Sequence, residues 1–239
     1  MPALLAKYTA MQAINCEQYG EAFTIGFPQF HRGPLDIFIQ LRGYENFVED
    51  LDERPAFVAE ALAFLADARL RFARERAAFL GEALPATTFV ADDWVNVPFI
   101  TPAFFRDVLV PVYARIRAGE GAVTGFHTCG ALAPIVDALL AVFPEIATLE
   151  VSGWNDVDAL DAVVAPRIGF AASVINTVSL SDDTPTQCAK VAALRRAATR
   201  RPVSLCAQAI VKLYPTYDET FARLNRFLAL AYAELEAVG

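Results

Sequence analysis

The sequence predicts an α/β protein in which a parallel sheet is covered by helices. Three observations lead there. Short, nearly uninterrupted apolar runs recur along the 239 residues, each is followed by a helical stretch, and polar residues gather just after the runs, where parallel α/β proteins build their sites. With 55% hydrophobic residues, and 14 prolines and 12 glycines spread along its length, the chain has material for one well-buried core. No repeat, low-complexity tract or interdomain linker divides it, so one domain over 1–239 is expected. A closed barrel and a doubly wound sheet both satisfy this pattern.

The elements follow in order. Met1 to Tyr19 is an opening segment, and Phe23-Thr24-Ile25-Gly26-Phe27 is the first strand candidate. Pro34 to Arg42 reads as a helix with Gly43 as its stop. A second helix is expected from about Pro55 to Leu80, where apolar residues fall at helical spacing. The strand Ala86 to Val90 runs into Ala91-Asp92-Asp93-Trp94. Thr101-Pro102 combines an N-cap residue with proline at the first helical position and opens an amphipathic helix through Arg117. The strand Ala122 to Phe126 ends in His127-Thr128-Cys129-Gly130, and Leu132 to Phe143 is helical. Ala147 to Val151, Ile168 to Ala172 and Pro202 to Cys206 are further strands, with helices near Pro185 to Thr199 and Thr216 to Ala237. That makes about six strands, whereas a (β/α)8 barrel has eight and typically about 250 residues.

Charge and hydropathy narrow the function. The net charge is −8 and the sequence pI near 4.8. Basic residues cluster no further than the doublets Arg195-Arg196 and Arg200-Arg201, which gives little support to a nucleic-acid groove. Apolar runs such as Ala131 to Phe143 are too short or too interrupted to span a bilayer, and the amino terminus lacks the layout of a signal peptide, so a cytoplasmic protein is expected. Cys16, Cys129, Cys188 and Cys206 then read as thiols rather than a disulfide framework.

Polar residues at the strand ends outline a candidate site: Asp92 and Asp93, His127 and Cys129, Glu150 and Ser152, Asn176, and Cys206, each after a different apolar run. On an extended segment, residues i and i+2 share a face, so His127 and Cys129 point the same way. Imidazole nitrogen and thiolate sulfur are preferred ligands of Zn2+, and Cys206, ending a later strand, offers a third. Glu150 offers a carboxylate. Three firm ligands with a displaceable fourth position are what a catalytic zinc needs. Taken alone, His-x-Cys is also what a satisfied core histidine and an inert thiol look like. Asp92-Asp93 reads equally as a solvated turn, a helix cap or a functional pair. Cys16 and Cys188 read as structural or incidental, and His31 as a loop residue.

Three stretches carry a resemblance: "FVADDWVNVPFITPAFFRDVLVPVYARI" (Phe89 to Ile116), "GFHTCGALAPIVDALLAVF" (Gly125 to Phe143) and "LCAQAI" (Leu205 to Ile210). Together they resemble the uroporphyrinogen decarboxylase superfamily, and within it the zinc-dependent cobalamin methyltransferase branch. The upstream segment Phe27 to Leu62, with its "LRG", resembles the family too. The resemblance implies a (β/α)8 barrel and a zinc site of His127, Cys129 and Cys206, with Glu150 as the expected acidic residue after His-x-Cys. It implies a methyl group moving between a corrinoid carried by a partner protein and a thiol or methylated small substrate, with Asp92 and Asp93 orienting substrate or ligands.

The family's amino-terminal portion, with the first barrel strands, has no counterpart before Phe23. An open barrel exposes strand edges, which proteins cover, so the expectation is a truncated gene product, a homo-oligomer or a second chain completing the barrel. The alternatives are uroporphyrinogen decarboxylase itself, whose arginine-rich opening motif and early aspartate are not found here, and a non-catalytic barrel subunit that binds a corrinoid protein.

Overall fold

The computed structural model describes residues 2–20, 22–173, 184–206 and 214–236, with Ser173, Cys206 and 234–236 described by their backbone alone. Five strands form one sheet: β1 (Thr87–Ala91), β2 (Ala122–His127), β3 (Thr148–Ser152), β4 (Gly169–Ser173) and β5 (Val203–Cys206). All pairings are parallel and the spatial order is β1-β2-β3-β4-β5. A doubly wound sheet reverses direction at a switch point, and this sheet never does. Each strand is added beside the last, as in the wall of an α/β barrel, of which the described strands form a part.

The strand expected over Phe23–Phe27 does not form. Gly26 and Pro28 break the run, and Phe27 instead packs its ring on Tyr8 and Phe79, with centroids 4.9 and 5.4 Å away. The chain meets the sheet a few residues later. Ala91 N donates to His31 O at 2.8 Å and Gly33 N donates to Ala91 O at 2.6 Å, a single parallel bridge beside the end of β1.

Helices α1 (Pro2–Tyr19), α2 (Pro34–Arg42), α3 (Tyr44–Glu53) and α4 (Pro55–Leu80) precede β1. The expected Gly43 stop ends α2, with a φ of 84° that a side chain resists, and α3 follows at once. Thr101 caps α5 (Pro102–Phe104), its Oγ1 accepting from Phe104 N at 3.1 Å. One π turn, Phe105–Leu109, leads into α6 (Val110–Glu120). Pro111 has no N–H to return to the preceding turn, which accounts for the widened winding there. The helix after β2 is shorter than its apolar run: α7 covers Val136–Val142, because Ala131 bridges to Val97 instead. Asp156 caps α8 (Val157–Val163), its Oδ1 accepting from Ala159 N. Then come α9 (Thr184–Ala198) and α10 (Tyr217–Glu236).

The core lies between the helices and one face of the sheet. Val90, Val123, Phe126, Leu149, Val151, Phe170 and Ala172 occupy that face and are all buried. Phe126, Tyr113 and Phe143 pack their rings 5.3 to 6.2 Å apart. Val123 and Phe126 are three residues apart, yet strict alternation would send them to opposite faces. A register shift resolves this, since Thr88 pairs with Val123 but Phe89 with Gly125, leaving Thr124 as an extra residue in β2. After the shift, His127 falls on the other face, level with Ala91.

Charged residues pin the layers. Arg69 of α4, nearly inaccessible, pairs with Glu120 of α6 through two contacts of 2.8 Å and donates to the carbonyls of His31, Arg32 and Phe89. Arg201 is likewise buried, bonded to Asp161 at 2.5 Å and lying 4.2 Å from the Phe170 ring centroid. The second basic doublet is thus structural. No helix among the described residues is long and apolar enough to cross a membrane.

Candidate functional site

The strand ends bring four of the expected site residues together around one imidazole ring. β1 and β2 pair so that Ala91 stands opposite His127, and Asp92 N donates to His127 O at 2.9 Å, which sets the next residue, Asp93, beside the histidine ring. His127 Nε2 lies 2.7 Å from Asp93 Oδ1 and 3.6 Å from Cys129 Sγ. On the other side of the ring, Nδ1 lies 2.5 Å from Glu150 Oε2, supplied by β3. The imidazole therefore bridges two carboxylates on neighbouring strand ends.

Burial grades across the cluster. His127 and Glu150 are buried, Asp93 is half-buried and Cys129 is exposed. Burial opposes a charge on His127, but its hydrogen bonds to Asp93, Cys129 and Glu150 outweigh that and push its pKa up to about 12. The hydrogen bond from His127 in turn holds Asp93 below the usual carboxylate range, against the effect of burial, and Arg32 adds to the shift. Arg32 Nη1 reaches Asp93 Oδ2 at 2.9 Å and also pairs with Asp36 of α2.

The loop carrying Cys129 is held from both sides. Thr128 Oγ1 donates to Val95 O at 2.9 Å. Asn155, after β3, donates to Gly130 O at 2.9 Å and accepts from Leu132 N at 2.7 Å, while Ser152 Oγ donates to Gly130 O at 3.1 Å. Gly130 is required by contact: a β-carbon there would run into the Asn96 side chain. A pocket of about 630 Å3 opens beside the cluster, with Asp93 and Cys129 on one side and Trp94, Phe99 and Trp154 among its walls.

The donor atoms of Asp93, His127 and Cys129 all lie within 4.8 Å of one another. Oxygen, nitrogen and sulfur together are a zinc donor set, and Zn2+ at its usual ~2.0–2.3 Å from each ligand fits a group this tight after small side-chain adjustments. Glu150 sits where a ligating histidine ordinarily finds its orienting carboxylate. Glu150 Oε1 is buried without a hydrogen-bond partner among the described residues.

Asp92 requires a correction. It does not face the cluster but is fully buried behind it, accepting from Asp36 N at 2.7 Å, Leu35 N at 3.3 Å and Tyr113 Oη at 2.8 Å. It tethers the start of α2, a helix that precedes it in sequence by more than fifty residues. Burial pushes its pKa up to about 7 despite those donors. Glu150 is also placed differently from a ligand, on Nδ1 rather than among the clustered atoms. The backbone of Cys206 ends β5 opposite Ser173, at the end of the sheet where β2 ends in His127. Its side chain and the whole of Asn176 lie outside the described residues. Cys16 is exposed on α1 and Cys188 half-buried on α9. Arg42 serves α3, pairing with Asp50 at 2.7 Å.

Sequence reasoning missed the holding roles of Arg32, of Asn96, whose Nδ2 donates to Asp93 O at 3.0 Å, and of Asn155, and the aromatic walls Trp94, Phe99 and Trp154. Trp94 and Asn155 each sit within three residues of a strand end, the signal that located His127.

No protein-family model matches the chain, and no curated protein does. Among solved structures, a methyltransferase from Methanosarcina mazei superposes with a TM-score of 0.58 over 97% of this chain, at 15% sequence identity. The chain spans 64% of the length of that structure. At such identity the likeness is one of fold.

Proposed function

We propose that this chain is a zinc-dependent methyltransferase of the uroporphyrinogen decarboxylase type, moving a methyl group between a corrinoid carried by a partner protein and a thiol or methylated small substrate. The observation that carries the reading is the convergence of Asp93, His127 and Cys129 at the carboxyl end of a parallel sheet. The fold shared with a solved methyltransferase supports it.

His127, Cys129 and Cys206 would hold the metal, with Asp93 beside them. When bound, Zn2+ supplies Lewis acidity that brings the pKa of a substrate thiol down towards neutrality. The chain's own residues do the positioning. Glu150 accepts the Nδ1 proton of His127 and so directs Nε2 towards the cluster. Arg32 orients Asp93 through its contact with Oδ2. Asn155 and Ser152 fix the carbonyl of Gly130 and with it the Cys129 loop. Trp94, Phe99 and Trp154 give the pocket an apolar wall against which a substrate packs. A corrinoid protein must reach the open side of this pocket, and a second chain covering the open side of the sheet remains part of the proposal.

A decarboxylase acting on a substrate with several carboxylates needs converging arginines. The described residues lining the pocket include one carboxylate and no basic side chain, so that reading is not carried forward. The test is zinc content by elemental mass spectrometry of protein purified without added metal or chelator, with the His127→Ala and Cys206→Ser variants in parallel. About one zinc per chain, lost in both variants, is expected. A folded wild-type protein without zinc would sink the mechanism. With zinc established, methylcobalamin and a panel of thiols test the transfer.

A further inference from the structure

Both tryptophans of the chain, Trp94 and Trp154, line the 630 Å3 pocket beside Cys129. Trp94 is fixed within an aromatic group: Tyr44 stacks on it at 5.1 Å, and Phe99 meets it edge-on at 5.2 Å. Phe99 turns the same pocket's wall, and Trp154 stands largely exposed at it. The charged side chain on this lining is the Asp93 carboxylate; no lysine, arginine or histidine lines it among the described residues. Ring faces carry negative potential, and a polarisable cation with methyl groups on its surface binds them without the desolvation cost of a small hard ion. The protein as a whole is acidic, with a net charge of −8, which attracts cations to it.

We infer that this pocket binds a methylated onium cation, a quaternary ammonium or sulfonium compound, as the methylated substrate. The inference rests on the methyltransferase reading and adds the charge of the substrate to it. Transfer of the methyl group from a quaternary ammonium breaks the C–N bond with its electron pair left on nitrogen, and the acceptor, the corrinoid of the partner protein, supplies the electron pair of the new bond. The onium cation leaves as a tertiary amine, which takes up a proton in water, or, from a sulfonium, as a neutral thioether.

The test uses the full chain and a matched pair of probes, choline and its uncharged isostere 3,3-dimethylbutan-1-ol. Binding is followed by quenching of tryptophan fluorescence and by calorimetry. Choline is expected to bind saturably and about 10-fold more tightly than the alcohol. Trp154→Leu, at an exposed position whose replacement spares the core, is expected to weaken choline about 10-fold, leave the alcohol little changed, and keep Trp94 as reporter. Equal or tighter binding of the alcohol would overturn the inference in favour of an apolar ligand, as would the absence of saturable choline binding by folded wild-type protein. Zinc content of the same samples separates the two claims: zinc-loaded protein indifferent to choline defeats this inference alone, and zinc-free protein that prefers choline defeats the proposed mechanism alone.

Discussion

His127 is the residue on which the site turns, because both of its ring nitrogens are engaged by carboxylates from different strand ends. Replacing Glu150 with Gln removes the charge that orients the ring while conserving its size. We expect metal affinity to fall 10–100-fold, measured by chelator competition, with circular dichroism unchanged. Asp92 makes a separate prediction in pH. Its folded pKa of about 7 lies above the usual carboxylate value, so the folded state binds the proton more tightly than the unfolded chain. The stability this confers is fully present below about pH 4 and is lost as the pH rises through about 7. Urea unfolding of Asp92→Asn should show that decline flattened between those limits. An unchanged slope would mean that Asp92 is ionised throughout. The adjacent pair Asp92-Asp93 illustrates what a sequence withholds. Neighbouring residues leaving a strand point to opposite sides, so one enters the cluster and the other caps a distant helix. Nothing in the letters says which.

At the scale of elements, β1 to β5 were legible because parallel strands packed under helices are written as apolar runs, and the capping Thr101 and the Gly43 stop were legible because each has a local cause. The Phe23–Phe27 strand misled because its aromatic residues serve ring packing on α1 and α4 rather than a ladder. The pair Arg69–Glu120 was invisible for the opposite reason, being made by residues fifty-one positions apart. Glu120→Ala strands the Arg69 guanidinium in the interior and should cost about 3–5 kcal/mol in urea unfolding. Gly130→Ala is expected to act locally. Displacing Asn96 should cost about 1–3 kcal/mol and disturb the Cys129 loop, so zinc should be lost at a temperature where the rest of the chain remains folded. The clamp of Asp50 by Arg42 and Arg54 lowers the Asp50 pKa, chiefly through the Arg42 hydrogen bond. Its contribution is present above the unfolded pKa and fades as the pH falls through the folded one.

For the whole molecule, the site gathers residues from successive βα units, so a ligand that binds them ties distant parts of the chain together. Zinc at 100 times its dissociation constant would add about 2.7 kcal/mol to stability. Chelator should therefore lower the melting temperature of the wild type and leave His127→Ala unaffected. A wild-type protein insensitive to chelator would speak against a metal at this position. The order of the strands could be chosen between a barrel wall and a doubly wound sheet only from the structure, since both are written as the same alternation of runs. The aromatic pocket wall, too, depends on Tyr44 meeting Trp94 and Phe99 across the fold.

The extra residue at Thr124 gives β2 a parity that depends on count. Up to Val123 the strand is in one phase with respect to the helices, and from Gly125 onward it is in the other. The histidine is addressed to the carboxylates of Asp93 and Glu150 by that phase, much as a reading frame addresses codons. A single residue inserted between Gly125 and His127 would leave composition, hydropathy and strand length almost untouched, yet it would exchange the inward and outward sets downstream and turn His127 away from Asp93 and Glu150.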